Sequence, residues 1–411
     1  MLLNAGQMYL NKILNAIIPL FLIPYYNKIF GVEQYGTLIF IQAIVTLLIY
    51  FTDFGFVFTA TREVSINSEN KGQLSSIVSS VIVVKLLLTF LVYLGIIVVS
   101  IIADLDFQLI LLYSLTFTAL ALQNFMPGWF FQGMKKNAII TFANLLSKII
   151  LVILVLIFIN TTTRIWLVPL IDSLAYFVFF VVGLVLIYSS FKLKFVFPSW
   201  ELVISNFKLS KDNFFITLLS WITTGGVLII TEQFVSDKSF GYYSIFTRIC
   251  YYIFASMHQI NLTVFPYFSE KFAKSKEEGR ELFRSMSKLF IIFIVALLVG
   301  GLLFGSLFFE IFFDVVFFSQ LETYIPAFYL LVVWVGLVLL NNFIGLQFFV
   351  SNNKDNIYRK FYMVNALICI VACLIITPRL GILGSALATV LGEGTMSILL
   401  IRSYLKHSNE V

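Results

Sequence analysis

The sequence predicts an all-α polytopic membrane protein with 12 transmembrane helices in two six-helix lobes. Three observations carry that prediction. Hydrophobic residues make up 60% of the chain and charged residues 12%, with a mean hydropathy of +0.99, which leaves too little polar surface for a soluble fold. Apolar runs recur along the whole length, each long enough at about 1.5 Å per residue to cross a hydrocarbon core of about 30 Å. The basic residues also alternate in the way the positive-inside rule demands.

The first six runs are Leu3–Ile29, Tyr35–Ala60, Ser75–Ile102, Phe107–Phe131, Ala138–Asn160 and Ile165–Ser189. The first is too long for a signal peptide and has no small-residue cleavage site, so it is expected to act as its own insertion signal. A more polar stretch, residues 190–212, is expected to be a cytoplasmic linker. Six further runs follow at Asn213–Val235, Phe240–Phe268, Leu289–Val315, Tyr324–Val350, Tyr358–Thr377 and Gly381–Tyr404. The expected division is therefore an N-lobe over 1–189, the linker over 190–212 and a C-lobe over 213–411.

With the N-terminus inside, 19 of the 27 Lys and Arg face the cytoplasm. Only Lys28, Arg164, Lys238 and Arg379 face out, and Lys12, Lys85, Lys148 and Arg248 fall inside spans. Both termini are thus expected in the cytoplasm. The net charge of +6 follows from this placement and gives no reason to invoke nucleic acid. Tyr35–Gly36 opens the second span and Gly241–Tyr242 the eighth, a weak sign of duplication between the halves.

The four intramembrane cations are the candidate site. Each lies roughly 12 to 15 Å into its span, where a charge costs about 2.5 to 3.5 kcal/mol on the lenient insertion scale. Four coincident depths point to one anion site built from Lys12, Lys85, Lys148 and Arg248, since lysine supplies point-charge donors and arginine a fork for phosphate oxygens. Alternatively Asp172 and Glu393, at comparable depths, balance one cation in each lobe. Asn4, Gln7, Asn11 and Asn15 form a stripe at helical spacing that either lines a cavity or bonds neighbouring helices. Asp53, at the cytoplasmic end of the second span, reads as a cap or loop anchor.

The other features read as packing. Cys250, Cys369 and Cys373 lie in apolar runs without metal spacing, and His258 stands alone. Gly301 and Gly305 are spaced for close helix approach. Residues Thr223, Thr224, Gly225 and Gly226 are a candidate bend. No catalytic constellation, metal spacing or nucleotide loop is present, so the chain is read as a non-enzyme without cofactor; a proton or sodium ion stays open as the coupling ion.

NKILNAIIPLFLIPYYNKIFGVEQYG at Asn11–Gly36 resembles the first-helix signature of Wzx-type O-antigen and polysaccharide flippases, in the superfamily that includes MATE multidrug exporters and the lipid II flippase. PGWFFQGMKKN at Pro127–Asn137, GYYSIFTRI at Gly241–Ile249 and PRLGILGSALATVLGE at Pro378–Glu393 look like later landmarks of the same family. The resemblance implies two six-helix lobes in a MATE-like V around a central cavity, alternating access, and a bacterial inner-membrane location. It implies an undecaprenyl-diphosphate-linked oligosaccharide as substrate, surrounding membrane lipids, and a polysaccharide polymerase and chain-length regulator in the same pathway. A MATE-type small-molecule exporter shares the fold, but a cavity for cationic drugs calls for an acidic excess at midplane. A polysaccharide polymerase calls for a large external loop, and every external loop here is short.

The loop charges make a topological prediction. Cysteines introduced at Asp104 or Asp237 are expected to react with a membrane-impermeant thiol reagent in cells with a permeabilised outer membrane, and one at Lys274 is expected to stay unlabelled. Labelling at Lys274 would refute the twelve-span topology.

Overall fold

Helix dominates because, in hydrocarbon, each backbone N–H and C=O needs a partner within its own segment. The computed structural model describes residues 2–408, and their side chains except at 2–16, 58, 137, 202, 212, 216, 259, 260, 262, 263, 266, 407 and 408. The helices are α1 (Leu2–Asp53), α2 (Phe56–Ile66), α3 (Lys71–Ile102), α4 (Phe107–Phe125), α5 (Gly128–Gly133), α6 (Asn137–Phe158), α7 (Leu167–Ser189) and α8 (Trp200–Trp221). After a π-helical turn at Ile222–Gly226 come α9 (Val227–Glu232), α10 (Asp237–Lys274), α11 (Lys276–Phe312), α12 (Val315–Ser319) and α13 (Leu321–Ile344). A second π-helical turn, Gly345–Val350, precedes α14 (Asp355–Leu380) and α15 (Ile382–Ser408).

Ten helical stretches among the described residues are long and apolar enough to cross a bilayer. Two features separate this from the expected twelve. The first two expected spans run together in α1, whose 52 residues would reach about 78 Å at 1.5 Å per residue, more than twice the hydrocarbon thickness. Gly31 breaks that run with φ 77° and ψ 168°, a conformation L side chains avoid. A Cβ there would meet nothing within 4 Å, so the glycine serves the backbone angle and not the space. The expected span Phe240–Phe268 lies in α10, which carries Arg248 and His258 and is not among the ten.

The chain forms two compact units, Met1–Asn11 with Leu38–Trp221, and Lys12–Thr37 with Ile222–Val411. The change-over after Trp221 falls beyond the linker expected at 190–212. The reason is that α8 is anchored in the first unit: the Thr59 and Ser210 hydroxyls lie 2.8 Å apart, and Trp221 Nε1 donates to the Ala43 carbonyl at 3.2 Å. The π-helical turn at Ile222–Gly226 then follows at once. The four residues read as a candidate bend, Thr223 to Gly226, lie in that turn.

In the first unit, Phe56, Val64, Val78, Phe130, Phe131 and Ile187 are core. Residues 191–199 leave the helical state, yet their backbone is partly held by α3. The Lys194 and Val196 N–H groups donate to the Ser75 and Ser79 hydroxyls, each at 3.0 Å. In the second unit, Phe268, Phe283, Phe343, Phe348 and Leu400 form a core. Helices α11 and α13 approach closely where a Cβ on Gly301 would lie 2.7 Å from Val332 Cγ1, and one on Gly305 2.6 Å from Phe328 Cε1.

The two glycine–tyrosine pairs meet in the second unit. A Cβ on Gly36 would sit 2.9 Å from Gly241 Cα, and one on Gly241 would run into the Val32 carbonyl. Tyr35 and Tyr242 flank this contact and are themselves buried. Gly241→Ala is therefore expected to destabilise the protein by about 1 to 3 kcal/mol through overpacking. Gly300→Ala, whose Cβ meets nothing within 4 Å, is expected to be neutral. Thermal unfolding in detergent checks both, and equal midpoints for the two variants would refute the backbone contact.

Candidate functional site

Two helix breaks in the first unit converge on Lys85. Helix α1 stops at Asp53 because Phe54 and Gly55 both take positive φ, 44° and 77°. Helix α4 stops at Phe125, before Pro127, and the Gly128 N–H that would have closed its last turn bonds Met126 O instead, at 2.8 Å. That leaves the Asn124 carbonyl free to accept another donor. Lys85 Nζ fills the gap, 3.1 Å from Asn124 O and 3.2 Å from Asn124 Oδ1, and pairs with Asp53 Oδ1 at 2.6 Å. Asn124 Nδ2 in turn donates to Thr52 Oγ1 at 3.3 Å.

Lys85 is 2% exposed, and three oxygens from Asp53 and Asn124 lie within 3.2 Å of its ammonium. Lys85, read from sequence as a cation of the anion site, thus stands in an ion pair within the first unit, and Asp53, read as a cap or loop anchor, is its counter-charge. The last turn of α1, just before the break at residues 54–55, brings Asp53 against α3.

Lys148 stands in a different setting. Helices α6 and α7 pack closely, with Ser147 Oγ donating to Ala175 O at 3.0 Å. One residue on, Lys148 Nζ donates to the Tyr176 hydroxyl at 3.3 Å and lies 5.2 Å from that ring's centroid. Asp172, one turn before Tyr176, is within Coulombic reach of Lys148. The ammonium is buried, with a phenol and a carboxylate among its neighbours.

In the second unit, Arg248 of α10 is partly buried and acts electrostatically on Tyr35. Glu393 of α15 is 5% exposed and is held by amides. Asn341 Nδ2 donates to its Oε2 at 2.6 Å, and Asn365 Nδ2 to its Oε1 at 2.8 Å. Among the described residues no ion pair includes it, so the balancing cation expected from sequence is not found there. Lys12, Asn4, Gln7, Asn11 and Asn15 lie outside the residues whose side chains are described.

Sequence reasoning missed Asn124, Tyr176, Asn341 and Asn365. Each is a polar residue inside an apolar run, which was a usable signal. Beyond the amide stripe of the first span, a charge stands out in sequence and the neutral groups that hold it do not.

Residues 2–272 match the family model described as "Polysaccharide biosynthesis protein". The chain belongs to that family. Over 174 residues it is 28% identical to a provisionally named O-antigen transporter of Escherichia coli (strain K12), a match covering 42% of each chain. A like-named protein of Shigella dysenteriae is 27% identical over 36% of this chain and 37% of its own length. The matched segment thus spans about two fifths of either relative. Among solved structures, an inward-facing MATE multidrug resistance transporter of the MOP superfamily superposes with a TM-score of 0.72 at 12% identity, covering 96% of this chain and 93% of that one. The lipid II flippase MurJ in an inward closed conformation gives 0.70 at 15% identity, covering 98% and 88%. The family member described here therefore has the fold that these two transporters share.

The ion pair makes a stability prediction. Lys85→Met leaves the partly buried Asp53 carboxylate beside an apolar side chain and is expected to cost about 3 kcal/mol, whereas the double variant K85M/D53L is expected to regain most of that. A double-mutant cycle from unfolding curves in detergent checks it. Additive effects would show that the two side chains do not depend on each other.

Proposed function

We propose that the protein is a flippase that moves an undecaprenyl-diphosphate-linked oligosaccharide, an O-antigen or capsule repeat unit, from the cytoplasmic to the periplasmic leaflet of the bacterial inner membrane. The observation that carries this reading is the family match over residues 2–272, in a chain whose apolar helices span a bilayer. In this reading it works by alternating access as a transporter and not an enzyme, with both termini in the cytoplasm and six spans to each half.

The head group of such a substrate is an anion that must cross an apolar slab. Lys148 and Arg248 are the described cations suited to meet it, and Lys12 completes the set on sequence grounds. Lys85 is left out, since Asp53 neutralises its charge and Asn124 accepts from its ammonium. A basic midplane favours this cargo over the cationic drugs of a multidrug exporter. The membrane potential helps, because an anion leaving the negative side gains about 2.3 kcal/mol per charge per 100 mV for a full crossing.

The test is complementation of a flippase-null strain, reading surface polysaccharide and, in the null, the lipid-linked glycan that builds up. K148A and R248A are each expected to lower polysaccharide about tenfold or more, as befits loss of one charge-assisted hydrogen bond, with protein level unchanged on a blot. K85M/D53L, which keeps the net charge, is expected to support normal polysaccharide. Full complementation by the double K148A/R248A variant would refute the anion contacts, and a null strain without accumulated lipid-linked glycan would refute the substrate.

A further inference from the structure

Glu393 lies eleven residues into α15, about 16 Å along the helix at 1.5 Å per residue, so it sits deep in the hydrocarbon layer. Its ionised form is met by two amide donors and, among the described residues, by no cation. Around it, Tyr358 and Cys369 of α14 are titratable groups that feel its charge, and neither supplies positive charge. Helices α9 and α10 also pack on α15, but they bring the neutral hydroxyls of Thr231 and Tyr243 to the level of Ser385, about 12 Å from Glu393 along the helix. An uncompensated carboxylate in such a place is expensive. A bound cation relieves the expense, and the geometry decides which cation.

Asn341 cannot turn freely. Its Oδ1 accepts from Ser397 Oγ at 2.7 Å while its Nδ2 reaches both Glu393 Oε2 and the Glu393 carbonyl, the latter at 2.9 Å. Asn365 is held on one side only. Its Nδ2 donates to Glu393 Oε1 and lies 3.7 Å from Met396 Sδ, but its Oδ1 is buried without a hydrogen-bond partner, and the residue is 1% exposed. Both carboxylate oxygens therefore face N–H donors, which do not ligate a metal ion. A proton needs no shell of oxygens. Half a turn of the Asn365 amide brings its orphaned Oδ1 to the carboxyl, where it accepts the O–H of a protonated Glu393. Gly392 leaves the room, since a Cβ there would lie 2.5 Å from Asn365 Oδ1.

We propose that Glu393 is a proton-binding site of the second unit, with Asn365 as the partner that donates to the empty site and accepts from the filled one. The proton is exchanged with water, rests on Oε1 when bound and leaves without any other bond breaking. Asn341, Asn365 and Glu393 stand on α13, α14 and α15, so loading and unloading re-orient a hydrogen bond that joins three helices. The proposal does not depend on which cargo the protein carries.

The test is infrared difference spectroscopy of the full chain in phospholipid nanodiscs between acid and alkaline buffers. The wild type is expected to lose a protonated-carboxyl C=O band as pH rises, and that component is expected to be absent in Glu393→Gln. Asn365→Leu is expected to shift the band, because the bound proton loses its acceptor. If Glu393→Gln fails to fold, 13C-glutamate labelling of the wild type serves instead, since Glu393 is the buried glutamate among the described residues and its band should move with the label. A wild type with no such band, or a Glu393→Gln spectrum that keeps it, overturns the proposal. So does loss of the band on adding sodium chloride at fixed pH and ionic strength, which would make the site one for a metal cation.

Discussion

Hydrocarbon cannot solvate a charge or an unpaired backbone group, and the arrangement of this protein follows from that constraint. Lys85 is tolerated because two broken helices aim three oxygens at its ammonium. The breaks are as much part of the ion pair as the charges are. Without the stop at Pro127 the Asn124 carbonyl would be spent inside its helix, and the turn at Phe54 and Gly55 ends α1 directly after Asp53. Helix interruption, which by itself wastes backbone hydrogen bonds, here supplies the acceptors that a buried cation needs.

The same constraint separates the other charges by the kind of partner each has. Lys148 has a phenol and a carboxylate within reach. Glu393 has amides, which support a negative charge without cancelling it. A cation set among three oxygens holds the fold, while a cation beside a phenol and a carboxylate and, among the described residues, an anion held by neutral donors are the places proposed for cargo and for a proton.

Backbone irregularity marks where the long helices change course. Gly31 breaks α1 through its angle, whereas Gly36 and Gly241 matter for what they lack, since two backbones lie where any side chain would intrude. The π-helical turn at Ile222–Gly226 sits where the two compact units divide. Widened turns of this kind leave carbonyls less tightly bonded and are common where helices are required to bend.

Apolar runs and loop charges determined the fold class from sequence alone, because both are set by the bilayer, and the bilayer acts on each segment separately. The close approach at Gly301 and Gly305 was legible for a similar reason, since the spacing lies within one helix. The partners of the charges were not. Asp53 reaches Lys85 only after a positive-φ break that apolar composition conceals, and Asn341, Asn365 and Glu393 meet from three helices that are distant in the chain. A charge in a span announces that it needs a partner, but which partner it finds depends on packing between helices, and that only the tertiary structure decided.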